Sequence, residues 1–377
     1  MITRIDLSTF KCFELIKLPL GRLTLLSGSN ASGKSSFLQA LALIHQTMLE
    51  KEWSTKLLLN GQELSLGTVT DVVDKVGGRR AFSVSIVDGD RSISWRFEGE
   101  RRDMSMHVRS VSVDGNVELN PSTLRFLLPP RPDLESLASR LRNLCYLTAE
   151  RMGPREYYPV EDPSSIQVIG ARGERAVGWL YCERDASVQP ELALPSAPPT
   201  RLRQVEERMR RFFPGFSLDV QQIPQTNVVT LGLRTSEATD YHRPIHVGFG
   251  LTQVLPIVVA ALSTQRGGIL LVENPEVHLH PAGQTRMGSF LADVAASGVQ
   301  VLVETHSDHV LNGVRLAVKM KRIVNDDVQL HFFRDRGLHS DQVVSPMIGP
   351  DGILDYWPEG FFDQFDKDMN DLAGWPD

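Results

Sequence analysis

The stretch Gly28-Ser-Asn-Ala-Ser-Gly-Lys-Ser35 constrains this chain more than any other. Its spacing is G-x-x-x-x-G-K-[ST], in which glycines let successive backbone N–H groups turn inward around a concavity that side chains would block. Lys34 is placed to reach β- and γ-phosphates, and Ser35 to offer its hydroxyl to Mg²⁺. The flanks decide whether so loose a pattern means anything. Leu23-Thr-Leu-Leu-Ser27 is a short β-rich apolar run broken by Gly28, and residues 37–48 form a helix-length run of strong helix formers. Strand, glycine loop and helix together set an anion at a helix N-terminus. The expectation is a nucleoside triphosphate, ATP with Mg²⁺, contacted by Asn30, Gly33, Lys34, Ser35 and Ser36.

A chain of 377 residues with 41% hydrophobic and 23% charged content has ample core for two or three domains, or for one enlarged α/β domain with an insertion. The net charge of −6 excludes a global pull toward nucleic acid, so any such contact needs a local basic patch. Two arginine groups offer one. The first spans 79–109 (Arg79, Arg80, Arg91, Arg96, Arg101, Arg102, Arg109) and the second 201–211. Each reads either as a solvated face paired with nearby acids or as an edge for DNA or RNA. Cys12, Cys145 and Cys182 are widely spaced with no C-x-x-C pair, which points to reduced, mostly buried thiols. No signal-peptide layout and no apolar run of transmembrane length occurs, so the expected setting is cytoplasmic, with no membrane partner.

The periodicities sketch an α/β chain. Strands before residue 23 are expected to join a mixed sheet in which the P-loop strand is central. Residues 70–74 read as a short helix closed by Gly77-Gly78. Alternation through Phe82, Val84, Ile86, then Ile93, Trp95, Phe97, with turns at Asp88-Gly89 and Asp114-Gly115, predicts a small antiparallel sheet. Helices are expected near 133–144, 174–182 and 202–213. Pro190, Pro195, Pro198 and Pro199 mark an exposed linker. Beyond residue 231, strands alternate with helices, as in a parallel sheet. The expected division is 1–150, a lobe with the P-loop and the antiparallel insertion; 151–230, a loop-rich helical insertion; 231–345, a second lobe; and 346–377, a tail.

Two further strand ends carry chemistry. Gly268-Ile-Leu-Leu-Val-Glu-Asn-Pro-Glu276 is an apolar strand ending in Glu273, the acid a P-loop ATPase needs at its Mg²⁺, expected beside the P-loop. The next residue, where many such enzymes place a water-activating glutamate, is Asn274. An amide orients a water but cannot take its proton, so either Glu276 substitutes or hydrolysis is slow. Val303-Glu-Thr-His-Ser307 ends a second apolar strand, with His306 in place to sense a γ-phosphate at the sheet's ligand crevice. His278 and His280 lie two apart with no third metal ligand in view.

Taken in order, Gly28–Ser35, Glu273-Asn-Pro-Glu-Val-His-Leu-His-Pro281 and Glu304-Thr-His-Ser307 resemble the ABC-type ATPases of the OLD, RecF and SMC group. Trp357-Pro-Glu-Gly-Phe-Phe-Asp-Gln364 resembles the C-terminal segment of short AAA-labelled prokaryotic ATPases. The resemblance implies a two-lobed ATPase head with a mixed central sheet, an antiparallel β subdomain and a helical insertion. It also implies a homodimer around two ATP molecules, each between one P-loop and the partner's signature loop. The matching loop resembles Val247-Gly-Phe-Gly-Leu-Thr-Gln-Val-Leu-Pro256, with Gly248 and Gly250 in the signature role; it departs from L-S-G-G-Q in lacking the serine and in its longer spacing to Gln253. Residues 279–281 would be the D-loop, and Glu150 or Arg151 would stand for a Q-loop. Members of the OLD group often carry, or work beside, a nuclease in phage defence, which implies an ATP switch for an effector. Asp366-Lys-Asp368 is a D-x-D, but the roughly 30 residues around it cannot make a nuclease domain. The altered signature speaks against a transporter motor, and missing heptads against a long SMC arm.

Overall fold

The computed structural model describes residues 1–76, 80–162, 169–335, 341–362 and 364–373. The expected Gly77-Gly78 turn, Arg79, Asp363 of the tail motif and the side chains of Asp366 and Lys367 lie outside what is described.

The chain opens with the hairpin β1 (Ile2–Phe10) and β2 (Phe13–Pro19), then β3 (Leu23–Gly28), the glycine loop and α1 (Lys34–Glu50). There follow β4 (Lys56–Leu58), α2 (Val69–Val72), β5 (Ala81–Asp88), β6 (Arg91–Glu98), β7 (Ser105–Val113), β8 (Asn116–Leu119), α3 (Glu135–Arg142) and β9 (Leu144–Leu147). The middle of the chain holds β10 (Tyr158–Pro159), α4 (Ala176–Cys182), α5 (Arg201–Phe212), β11 (Ser217–Gln222) and β12 (Val228–Arg234). The last part is α6 (Phe249–Ser263), β13 (Ile269–Glu273), α7 (Pro281–Ala296), β14 (Gln300–Glu304), α8 (Asp308–Lys319), β15 (Val328–Phe333), β16 (Val343–Val344) and α9 (Gln364–Ala373).

The P-loop strand lies inside a six-stranded sheet of order β16-β15-β3-β14-β13-β9, parallel except for β16. Every residue of β13 and β14 is buried, as expected of parallel strands covered on both faces. Because successive side chains point to opposite faces, each strand feeds two cores. Leu270 and Val272 pack into the core that holds α6, α7 and α8, whereas Ile269 and Leu271 join α1 and the antiparallel sheet. Each such side chain is worth about 1.5–3 kcal/mol when fully buried. The strand ends are therefore held from both sides.

Two expectations about the sheets are corrected. β1 and β2 do not flank the P-loop strand; they belong to a separate seven-stranded antiparallel sheet, β2-β1-β5-β6-β7-β4 with β8 on β7. Their alternating burial suits a sheet with one wet face, and β1 finds its partner in β5, with Ile5 opposite Ile86 and Leu7 opposite Val84. The antiparallel sheet is thus larger than the hairpin pattern alone suggested. The Asp114-Gly115 turn has both residues at positive φ (51° and 83°), the backbone a two-residue hairpin loop demands.

The 151–230 region carries a three-stranded sheet, β10-β12-β11, beside α4 and α5. Its proline-rich stretch is not an exposed linker. Leu192 and Leu194 are buried, and the side chain of Gln204 bonds to the carbonyls of Leu194, Ala197 and Pro198, so α5 organises the segment. The tail likewise docks, with Phe361 buried against Phe332 of β15 at 5.1 Å between ring centroids. Cys182 is exposed, contrary to the expectation of buried thiols. Among the described residues no helix is long and apolar enough to cross a membrane.

Candidate functional site

The P-loop is shaped from behind. Gly28 has φ +134°, and a Cβ there would lie 2.0 Å from the Phe333 carbonyl oxygen of neighbouring β15. Gly33 has φ +111°, and a Cβ there would strike Cys12 Sγ and Phe13 Cζ at 2.5 Å. Only glycine permits both the left-handed backbone and the close approach. Inside this turn Lys34 is buried, and its Nζ donates to the carbonyls of Gly28 (3.0 Å) and Ser29 (2.6 Å). Burial lowers its pKa, against the pull of Glu304. A cation folded back on its own loop is one that an incoming phosphate can claim. Asn30 is exposed at the loop tip, and Ser36 lies half-buried in the first turn of α1.

The carboxylate that meets the loop is not the one expected. β14, not β13, is the neighbour of β3, so Glu273 sits one strand further from the P-loop than Glu304. At about 4.8 Å per strand that displacement matters. Ser35 Oγ donates to Glu304 Oε1 at 2.9 Å. Glu273 accepts instead from the Tyr146 hydroxyl (2.6 Å) and the Ala149 N–H (3.0 Å). The two glutamates are in register across β13 and β14. Burial, and next the nearby Glu273, push the Glu304 carboxyl up to about 7, against the Ser35 hydrogen bond and Lys34. Burial also raises Glu273 and Glu276. Glu304 Oε2 is buried without a hydrogen-bond partner. Sequence reasoning gave Glu304 no role, though both strands end in the same Leu-Val-Glu, at 271–273 and 302–304.

The other expected residues gather at the same edge. Asn274 has φ 44°, its N–H donates to the Glu304 carbonyl at 2.8 Å, and its buried Oδ1 has no partner. Glu276 accepts from Thr305 Oγ1 and from the His306 N–H, both at 2.8 Å. His306 stands at the surface with its ring partly covered, and this partial desolvation, with Lys34 nearby, lowers its pKa. Of the two Q-loop candidates, Glu150 is exposed and Arg151 is drawn in. The Arg151 guanidinium donates to the carbonyls of Thr148 (3.1 Å), Glu273 (2.7 Å) and Asn274 (2.8 Å). Desolvation brings its pKa down to about 10, which leaves it charged.

Gly248 and Gly250 are not brought to this P-loop. Gly248 precedes α6 with open space around it, and a Cβ at Gly250 would lie 2.7 Å from the His278 carbonyl oxygen. Phe249 rests edge-on against the His278 ring at 4.7 Å, and Gln253 Nε2 reaches the carbonyls of Arg151 and Met152 at 3.4 Å. His280 caps α7, its Nδ1 accepting from the Ala282 N–H at 3.4 Å. No group of three metal-type side chains occurs among the described residues.

Many arginines of the two clusters are ion-paired: Arg80 with Glu100, Arg91 with Asp133, Arg109 with Glu98, Arg201 with Glu183, Arg203 and Arg210 with Glu206, and Arg208 with Asp293. Arg101 and Arg102 are exposed at a turn.

Residues 1–90 match the family described as "AAA ATPase domain", and residues 189–312 the one described as "AAA domain, putative AbiEii toxin, Type IV TA system". Residues 323–372 match "Protein of unknown function (DUF3696)". An OLD nuclease of Thermus scotoductus (strain ATCC 700910 / SA-01) is 24% identical over 321 residues, which are 81% of this chain and 59% of that protein. The chain thus spans a little over half the length of that relative. Among solved structures, an SMC head bound to the C-winged helix domain of ScpA superposes with a TM-score of 0.57 at 15% identity, covering 92% of this chain and 98% of that one. An SMC head with an extended coiled coil, bound to the C-terminal domain of ScpA derived from Pyrococcus furiosus, gives 0.56 at 12% identity, covering 99% and 98%. Motifs, sheet order and comparisons agree: the chain carries AAA-type ATPase domains on an SMC-head fold, consistent with an OLD/SMC-like ATPase.

Proposed function

We propose that this chain binds ATP with Mg²⁺ at Gly28–Ser35, hydrolyses it slowly, and serves as a switch for an effector. The observation that carries the reading is the junction of Ser35, Lys34 and the strand-end carboxylates at one sheet edge. The residues fit both groups. The loop is one in which Gly28 and Gly33 admit no Cβ against the residues behind them, and a buried carboxylate oxygen on Glu304 stands unsatisfied beside the P-loop serine. Hard oxygen donors of this kind suit Mg²⁺, which when bound would neutralise charge on the β- and γ-phosphate oxygens.

The protein's own part is positional. Lys34 exchanges two loop carbonyls for phosphate oxygens. The Asn274 amide oxygen is buried without a partner, and an amide in that place can orient a water but not deprotonate it. Glu276 is the remaining base candidate, fixed by Thr305 and by the backbone of His306, which in turn offers its ring to the γ-phosphate. Burial raises the Glu276 pKa, which favours it as a base, and its two hydrogen bonds hold it in place, so slow turnover rests on Asn274 standing where a glutamate is expected.

The open front of Gly248 is the surface a second copy would use, closing a homodimer over two nucleotides. The likeness to a protein named OLD nuclease supports a nuclease as the effector, with nuclease activity of this chain itself outside the reading; a cytoplasmic role in anti-phage defence is part of the proposal. The ion-paired arginines weigh against a direct nucleic-acid face. Lys34→Ala tests the core of the proposal. Calorimetric titration is expected to show ATP binding lost, and sedimentation to show no ATP-driven dimer; unchanged affinity overturns it. Co-elution with neighbouring gene products, with and without ATP, tests the effector.

A further inference from the structure

A cavity of about 530 Å³ opens beside β9, the edge strand of the parallel sheet. Its size suits a small molecule. It is separate from the P-loop, since His45, which lines it, stands about 16 Å along α1 from Lys34. His45 is 3% exposed, and its Nδ1 lies 2.7 Å from the Leu141 carbonyl oxygen in the last turn of α3. A carbonyl only accepts, so Nδ1 carries the proton, and burial lowers the pKa to about 4 and keeps the ring neutral. Nε2 is thereby a bare lone pair, with no donor to it among the described residues. Glu63, half-buried, lines the same cavity, and its carboxylate likewise receives no hydrogen bond among the described residues. Burial, and next the charge of Glu174, push that carboxyl up to about 7 against the pull of Arg175. Two acceptors thus border one cavity with no donor to meet them.

We propose that this cavity is a second ligand site, for a small organic cation that carries N–H donors, an amine or a guanidinium. The walls select the charge. The C-terminal ends of α3 and α6, at Asn143 and at Ser263 and Thr264, border the cavity and are the negative poles of their helices. Arg140 and Arg266 also stand on the wall, but each is met by an acid, Asp88 and Glu191 respectively, so neither leaves a positive charge over for an anion. Leu144 and Ile169 add an apolar surface for a short carbon chain. The charged N–H group takes the Glu63 carboxylate, and a further donor takes His45 Nε2. A bare metal ion fits less well, because Glu63, His45 and Cys145 share the cavity without forming a metal-type group among the described residues. Tyr146 is also in the wall, and its hydroxyl donates to Glu273 at 2.6 Å, which joins the cavity to the end of β13.

The test is calorimetric titration of the full chain, without nucleotide, at pH 8, where Glu63 is ionised. The probes are agmatine and putrescine; 1,4-butanediol, of the same length but neutral, and succinate, of the opposite charge, are the controls. At least one of the two cations is expected to saturate one site per chain, and neither control to bind. Glu63→Gln is expected to weaken that cation by about 10–100-fold, the loss of one charge-assisted hydrogen bond. Ser139→Trp, at an exposed position of α3 on the cavity wall, is expected to fill the space and abolish binding. Thermal melting checks both folds, and Ser139→Trp carries the test if Glu63→Gln does not fold. Absence of saturable binding by both cations, or an affinity for the diol equal to theirs, overturns the proposal. So does wild-type affinity in Ser139→Trp, which would mark the cations as bound to the surface of an acidic protein.

Discussion

The P-loop and the loop at 247–250 both lead into a helix through glycines, and they are held in opposite ways. Behind the P-loop, Phe333, Cys12 and Phe13 press so closely that Gly28 and Gly33 admit no Cβ, and Lys34 is buried in the turn. At the other loop Gly250 is backed by the His278 carbonyl, but Gly248 faces empty space and Ile245 and Phe249 are exposed. One glycine loop is finished by its own chain; the other is anchored at the rear and bare in front. The contrast teaches that glycine serves two needs, accommodation of neighbours already present and clearance for one that is not.

The comparison breaks most visibly under added methyl groups. Gly33→Ala combines positive φ with two contacts at 2.5 Å, so calorimetry should show a loss of stability of about 2–4 kcal/mol, and nucleotide binding should fall with it. Gly248→Ala should leave the melting curve within about 0.5 kcal/mol of wild type while sedimentation shows ATP-driven dimerisation reduced. Equal destabilisation by the two substitutions would erase the distinction.

A smaller effect concerns the base. Asn274→Glu should raise steady-state ATP turnover about tenfold or more, at a stability cost of about 1–2 kcal/mol because position 274 has φ 44° and glutamate tolerates that region less well than asparagine. If turnover instead stays constant and Glu276→Gln abolishes it, Glu276 is the working base.

The smallest effect is electrostatic and belongs to the P-loop side. Glu304 is raised from its ordinary 4.5 to about 7, so the fold holds that proton more tightly than the unfolded chain does. Its stabilising contribution is full below pH 4.5 and is lost as pH rises through about 7. Between pH 5 and pH 8 the nucleotide-free protein should therefore lose more of its melting temperature than Glu304→Gln loses, by a few degrees. Glu63, also pushed up to about 7, acts alike in both proteins and cancels. Parallel curves would refute the shift.

What could be read from sequence was what is local. The P-loop, its strand and its helix lie within the 28 consecutive residues 23–50, and the hairpins of the antiparallel sheet announce themselves by alternation and turn residues. Glu273, Asn274, Glu276 and His306 can be singled out from sequence because strand ends in a parallel sheet point at one crevice. Glu304 was not, because its meeting with Ser35 depends on β14 lying between β3 and β13, an order no single segment encodes. The same holds for β1 pairing with β5 across 70 residues of chain, and for the prolines of 190–199, whose composition says loop while Gln204 supplies the backbone partners that pack it. The arginine clusters stayed open to two readings for a related reason, since their acidic partners, such as Asp133 for Arg91 and Asp293 for Arg208, arrive from distant segments.

Arg151 has a mechanical consequence. Its single guanidinium is fastened to carbonyls on either side of the β13 terminus, while its own carbonyl and that of Met152 receive the amide of Gln253 from the helix behind Gly248. Three segments far apart in the chain are thereby geared to one another. The end of β13, the 148–152 segment and α6 thus share one set of backbone carbonyls as their fastening points.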